Sequence, residues 1–587
     1  MKQGAWSPSF GANLVGPNRT RFRVWAPAQP AMSVAIQDGP RLPMERRNGG
    51  WFETEADCGA STRYQYVLPD GTAIPDPASR AQDGDVHGAS IVVDPSVYRW
   101  RNGQWRGRPW HETVLYELHA GLLGGFKGIA REVANLAALG ITAIELMPIA
   151  EFPGARNWGY DGTLPYAPEC SYGSPDDLRA LVDAAHGHGL MVFLDVVYNH
   201  FGPDGNYLPV LAPDFFRGDV STPWGPAIDF GRPEVRGFFT DNALYWLIEY
   251  RFDGLRFDAV HAITEADWLD EMAAAVRKTI GPDRHVHLVL ENDKNESSHL
   301  ARDFDAQWND DAHHVLHVLL TEEHEGYYGD YIEEPAARLA RCLKEGFIYQ
   351  GEPSQHRGGE PRGTRSAALP PTAFVLFVQN HDQIGNRAFG ERLTTLAEPQ
   401  ALEAAIALQL LAPQIPLIFM GEEVASEEPF LFFTDHNEEL AKAVRDGRRK
   451  EFSSFSSFSD SKLLAKLPDP NLVETFERSK PCAHPQRAAD RRRLYAALLA
   501  LRRTEIVPRL PNTRALDALA LARAAVTAQW RMGDGSQLTI ATNLGTSGVQ
   551  LPAPFGRLLF ATSQAAAKAI FAGQLPARST VAVLNPT

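Results

Sequence analysis

The chain reads as a multidomain protein whose centre is a closed (β/α)8 barrel, the TIM-barrel architecture, set between an N-terminal β-sandwich and a C-terminal antiparallel β-domain. Three observations predict this. Eight short apolar runs alternate with segments of helical period through the middle of the sequence. Short in-and-out alternation precedes them, and β-type runs return after the last helical segment.

Residues 1–97 come first. Between about Phe10 and Val93, runs such as Arg21–Trp25 and Arg63–Val67 alternate apolar with polar and are separated by Gly, Pro and Asp turns. That spacing predicts an immunoglobulin-like sandwich. A linker rich in Arg, Trp and Gly near Tyr98–Pro109 opens the barrel segment, 98–505.

Its eight strand-like runs are Val114–Leu118, Ala143–Met147, Met191–Asp195, Gly254–Asp258, His287–Glu291, Ala306–Trp308, Phe374–Val378 and Pro416–Met420, with helices such as Pro175–Gly187, Glu265–Thr279 and Leu402–Leu411 between them. Strands apolar on both faces need cover on both, which a closed parallel sheet ringed by helices supplies. An open doubly wound sheet is the alternative. Two stretches interrupt the alternation, near 202–235 and 434–485. The first is rich in Pro, Gly and Asp; the second is charged and Ser-rich after Phe452. Both are expected to cross the barrel face, where long loops carry function. After the helix Leu494–Leu501, runs such as Val526–Trp530 and Gln537–Thr542 predict a small β-domain over 506–587.

The composition of the 587 residues narrows the function classes. A net charge of -15 repels polyphosphates, which argues against nucleic acid or an anionic membrane surface as partner. Cys58, Cys170, Cys342 and Cys482 lie far apart without metal-ligand spacing, so free thiols in a reducing compartment are expected. The first residues lack a basic start followed by an apolar stretch, and no run of about 18 apolar residues occurs, so a cytoplasmic protein outside the membrane is expected.

The placement of carboxylates carries the chemistry. Asp195, Asp258, Glu291 and Asp382 each close or directly follow a strand-like run, which in a barrel puts them on the C-terminal rim, where residues distant in sequence share one substrate. Any one of them could be a helix N-cap; four in register argue for a site. Paired carboxyl groups suit glycosidic cleavage, in which one protonates the leaving oxygen and the other stabilises or traps the oxocarbenium-like centre. A metal-hydrolase alternative rests on His313, His314 and His317, whose spacing otherwise describes a plain helix facing its neighbours.

Four strings, Asp195–His200, Gly254–His261, Leu290–Asp293 and Phe377–Asp382, resemble in order and strand context the signature regions of the α-amylase superfamily of glycoside hydrolases. The resemblance implies a retaining mechanism with Asp258 as nucleophile, Glu291 as acid and then base, and Asp382 binding sugar hydroxyls. It implies that Arg256 orients Asp258, that His200 and His381 bond the reacting sugar, that Asp195 organises the pocket floor with Asn199, and that Tyr160 stacks on that sugar.

Within the superfamily, Glu145–Gly154, Gln307–His314, Gln379–Arg387 and Phe432–His436 resemble the maltooligosyltrehalose trehalohydrolase family almost end to end. That resemblance implies cleavage of the α-1,4 bond next to the terminal trehalose of maltooligosyltrehalose, with related α-1,4-glucans as ligands and a maltooligosyltrehalose synthase as pathway partner. Candidates for recognising the trehalose end are His261, Trp308, Asn309, Glu422, Phe432, Phe433, Asp435 and His436. The loop His119–Phe126 is shorter and more apolar than the family's usual turn, so a substrate contact expected of that turn is not carried over. Branching and debranching enzymes share the triad and remain the enzymatic alternative; a glycan-binding scaffold without catalysis is the other. Calcium serves some α-amylases, but no dedicated acidic loop stands out here, so neither a required metal nor a cofactor is expected.

Overall fold

The computed structural model describes residues 6–222, 224–453 and 461–586. The Ser-rich run that follows Phe452 lies outside them over 454–460.

Eight parallel strands close into a barrel in sequence order. They are β1 (Leu115–Leu118), β2 (Ala143–Leu146), β3 (Met191–Val196), β4 (Gly254–Phe257), β5 (His287–Leu290), β6 (Ala306–Trp308), β7 (Phe374–Leu376) and β8 (Ile415–Phe419). Closure comes from β1 pairing β8, with Leu115 opposite Leu417. The open doubly wound alternative is thereby excluded. Alternation along each strand divides the side chains. Leu115, Ala143, Met191, Phe193, Val289, Trp308, Phe377 and Leu417 fill the barrel interior as a separate buried cluster, while residues of the other parity join the large core beneath the helices.

Local signals set the helices. Pro175–Gly187 runs over the residues expected for it. Ser174 and Asp177 form a capping box at its start, Pro175 occupies the first turn, and Asp176 and Asp177 complement the helix dipole.

Before the barrel, two antiparallel sheets face each other. One contains Gly11–Gly16, Arg19–Trp25 and Trp51–Ala56, and the other Ser33–Ile36, Arg63–Val67 and Ala89–Ile91. Buried Phe22 of the first meets Tyr64 of the second with ring centroids 4.8 Å apart. After the barrel, Arg514–Ala522, Ala525–Arg531, Gln537–Asn543, Ser579–Asn585 and Arg557–Ala561 form a five-stranded antiparallel sheet. It docks on the barrel helix Pro399–Leu411, where Thr580 Oγ1 donates to the Ala404 carbonyl at 2.7 Å. Of the two interruptions, the first folds into a hairpin, Phe216–Thr222 with Gly225–Ile228, and the second begins with the helix Glu438–Phe452.

Candidate active site

Parallel strands of matched parity bring the acids to one end. Asp195 lies in β3 opposite Arg256 of β4, and Asp258 and Glu291 are the first residues beyond β4 and β5. Arg256 is buried, and its Nη1 donates to both oxygens of Asp195 at 2.9 and 2.8 Å and to Asp258 Oδ1 at 2.8 Å. Its Nη2 lies 3.4 Å from Glu291 Oε2. The flat guanidinium rests on the Trp308 ring, 4.3 Å from the centroid. One permanently charged group therefore joins three carboxylates.

Asp258 and Glu291 differ in surroundings. Ala259 adopts left-handed backbone with φ 41°, uncommon for a residue with a Cβ, and its N–H donates to Glu291 Oε2. Burial pushes the Glu291 carboxyl well above the ordinary range, and Arg256 opposes the rise while Asp258, Asp310 and Asp382 add to it. A carboxyl suited to keeping its proton thus stands beside one hydrogen-bonded to a cation. Asp195 is pushed up to about 6, chiefly by burial and against the pull of Arg256.

The floor is a hydrogen-bonded chain. Tyr160 Oη donates to Asp195 Oδ2 at 2.7 Å and meets His381 Nε2 at 2.8 Å. The other ring nitrogen and the backbone N–H of His381 both reach the Glu117 carboxylate. Burial acts to lower His381, but the charge and hydrogen bond of Glu117 outweigh it and its pKa is raised, favouring the imidazolium. His200 Nε2 lies 2.9 Å from the Tyr160 carbonyl, and burial pushes this histidine down. Asp382 lies in the first turn of the short helix His381–Gly385 and accepts from Asn386 Nδ2 at 2.8 Å.

These groups line a cavity of about 510 Å³ that holds Tyr160, His200, Asp258, His261, Glu291, His381, Asp382 and Phe432 in one wall system. That is within the size range of small-ligand pockets. Burial pushes His261 down to about 4, so its imidazole is neutral near pH 7. The cavity is also lined by residues that the sequence did not single out, among them Trp224, Asp310, Tyr327, His356 and Arg357. Trp224 sits in the hairpin turn of the first interruption, 46% exposed, with its ring stacked on His200 at 5.0 Å and 13°. Asp310 opens the helix Asp310–Thr321 and is pushed up to about 7, mainly by burial.

The family model for the alpha amylase catalytic domain matches residues 79–209, and one for a domain of unknown function, DUF3459, matches residues 513–583. A malto-oligosyltrehalose trehalohydrolase from Deinococcus radiodurans is 42% identical over 84% of this chain and 82% of its own length. The chain belongs to the malto-oligosyltrehalose trehalohydrolase family. The crystal structure of a Salmonella typhimurium protein, described there as a candidate alpha amylase, superposes with a TM-score of 0.92 at 42% identity, covering 99% of this chain and 100% of that one. A 1,4-alpha-glucan branching enzyme from Nocardia farcinica is 38% identical over only 44% of this chain and 39% of its own length.

Several of the trehalohydrolase-family candidates stand behind the cavity wall. Trp308 is fully buried under Arg256. Asn309 Nδ2 donates to the Gly346 carbonyl at 2.9 Å, and Glu422 accepts from Tyr495 Oη at 2.7 Å and from the Phe419 N–H at 2.9 Å. Phe433 packs on His119 and Phe476, on the far side of the chain from its neighbour Phe432. Asp435 binds Arg156 and the Ala155 N–H, and His436 lies 3.4 Å from Asp161; both fasten the loop that carries Tyr160. In the short first loop, buried His119 is pushed down to about 4 and its Nε2 meets the Asn157 carbonyl at 2.8 Å, so it braces the same loop. His313 and His317 take separate partners, the Val378 carbonyl and Glu323, and His314 stacks on Tyr327 at 4.5 Å between centroids. The three therefore share no ligand-like point.

Among the described residues, the ligand-type atoms of Glu151, Glu169 and Cys170 lie within 4.8 Å of one another. Their oxygens accept from backbone: Glu151 from the Cys170 N–H at 2.8 Å, and Glu169 from the Ser171 N–H at 2.9 Å and the Phe152 N–H at 3.2 Å. They clamp the base of the loop that carries Trp158 and Tyr160. Burial pushes Glu169 up to about 7, so the folded protein binds a proton there that the unfolded chain releases. Its stabilising contribution is complete below the ordinary carboxylate range and is lost as pH rises through about 7. Glu169→Gln is expected to flatten the fall of the urea midpoint between about pH 4.5 and 7; an unchanged slope counts against a protonated Glu169.

Proposed function

We propose that the chain is a retaining glycoside hydrolase that cleaves the α-1,4 bond next to the terminal trehalose of maltooligosyltrehalose, releasing trehalose and a shortened maltooligosaccharide. The observation that carries this is the shared Arg256 guanidinium. It holds Asp258 in place through a 2.8 Å hydrogen bond while Glu291, raised by burial, keeps a proton in the same cavity.

In the first step Glu291 gives its proton to the glycosidic oxygen as Asp258 attacks the anomeric carbon, forming a β-glycosyl ester and freeing the trehalose end. In the second, Glu291 as carboxylate takes a proton from water, and the resulting hydroxide displaces Asp258. Asp382 holds sugar hydroxyls, His381 fixes Tyr160 through its ring nitrogen, and Tyr160 and Trp224 offer rings to the sugar's apolar face.

Release of free trehalose and maltotriose from maltotriosyltrehalose, measured by chromatography, is the expected result. New α-1,6 linkages in place of trehalose mean a branching transferase instead, and no turnover with intact folding means a glycan-binding scaffold. Such an enzyme acts after a synthase that rearranges the reducing end of a maltooligosaccharide. A cytoplasmic setting suits its four unpaired cysteines. No described helix is long and apolar enough to cross a membrane.

A further inference from the structure

Beneath the pocket floor lies an acid that the mechanism does not use. Glu145 of β2 shares the parity of Ala143, whose side chain fills the barrel interior, so it points inward one layer above the apolar plug. It stands in register with Glu117 of β1 on one side and Phe193 of β3 on the other. It is 1% exposed, and among the described residues no donor reaches either of its oxygens.

The charged groups facing it from the neighbouring strands are Glu117, Asp195 and Arg256. Each is already engaged, Glu117 by His381 and the other two by each other. An ionised carboxylate in that position, without a donor and beside two other acids, is costly to bury; the neutral acid costs far less.

We propose that Glu145 is a positioning residue kept as the neutral acid, which leaves Glu117 free to hold His381 and Asp195 free to hold Arg256. Burial, together with repulsion from Glu117 and Asp195, pushes its carboxyl in the same direction. A charge on Glu145 would compete for the two cations that orient the catalytic floor. A neutral side chain of the same shape leaves them where they are.

The test has two arms. In infrared difference spectra at neutral pH, Glu145→Gln is expected to remove one carboxylic-acid C=O band present in the parent protein; no lost band overturns the proposal. In the kinetic arm, which rests on the hydrolase reading above, Glu145→Ala lowers kcat about tenfold with little change in KM, and Glu145→Gln restores most of that loss. Glu145→Gln also leaves both limbs of the pH–rate profile in place. A shifted limb in that variant shows that the side chain carried charge and overturns the proposal. The spectral arm needs no substrate, so its failure is distinguishable from a failure of the hydrolase reading. If Glu145→Ala does not fold, Glu145→Gln alone decides.

Discussion

Asp258→Asn is expected to reduce kcat by about 10⁴-fold or more while the protein folds normally, because an amide cannot form the glycosyl ester and loses its charge against Arg256. Folding is spared because Asp258 stands past the end of β4, outside the apolar plug that holds the barrel together. KM is expected to move little, since His200, His381 and Tyr160 still line the cavity. The measurement pairs single-turnover kinetics on maltotriosyltrehalose with a circular-dichroism melt. Residual turnover within about tenfold of the parent enzyme, in a protein that melts normally, removes Asp258 from the role of nucleophile.

Glu291→Gln is the second large effect, and its signature differs. General acid catalysis contributes about 10²–10⁴-fold, so kcat on the natural substrate is expected to fall in that range. Activity depends on the protonated form, and burial raises that proton's pKa, so the parent enzyme loses rate on the alkaline side as pH climbs through it. The variant has no such proton to lose, and the alkaline limb disappears. In kcat/KM, which reports the step that forms the ester, a maltosyl fluoride, whose leaving group needs little protonation, is expected to lose much less than the trehalose-ended substrate. Equal losses on both substrates, with the limb retained, assign the proton to another group; Asp310, pushed up to about 7 in the same cavity, is the one to examine next.

All eight barrel strands were legible as apolar runs because burial on both faces leaves little room for polar residues. Their ends were less so: Asp258 and Glu291 fall just past the last residues of β4 and β5, and the backbone turns left-handed at Ala259, whose N–H donates to Glu291. The acids could be placed from sequence because a parallel barrel converts the end of a run into a place on the rim. The cavity's outer wall could not. Trp224, His356 and Arg357 come from irregular segments whose course is set by tertiary contacts, and no periodicity marks them.

The adjacent pair Phe432 and Phe433 shows the limit of reading a family string residue by residue. One ring lines the cavity and the next seals the core behind it, and the letters alone are alike. Trp308 is a subtler case. Its interior parity was readable once the strand was known, but the presence of a guanidinium on its upper face depends on β4 supplying Arg256 at the same height.

A guanidinium held in common by three acids makes the floor behave as one device with a single hinge pin. Removing any one acid frees Arg256 to shift toward those that remain, so each loss also alters how its neighbours are held. Paired substitutions in this trio therefore fall short of the product of the single ones. Specificity can drift gradually through the outer wall, whereas the inner trio can only be exchanged as a set.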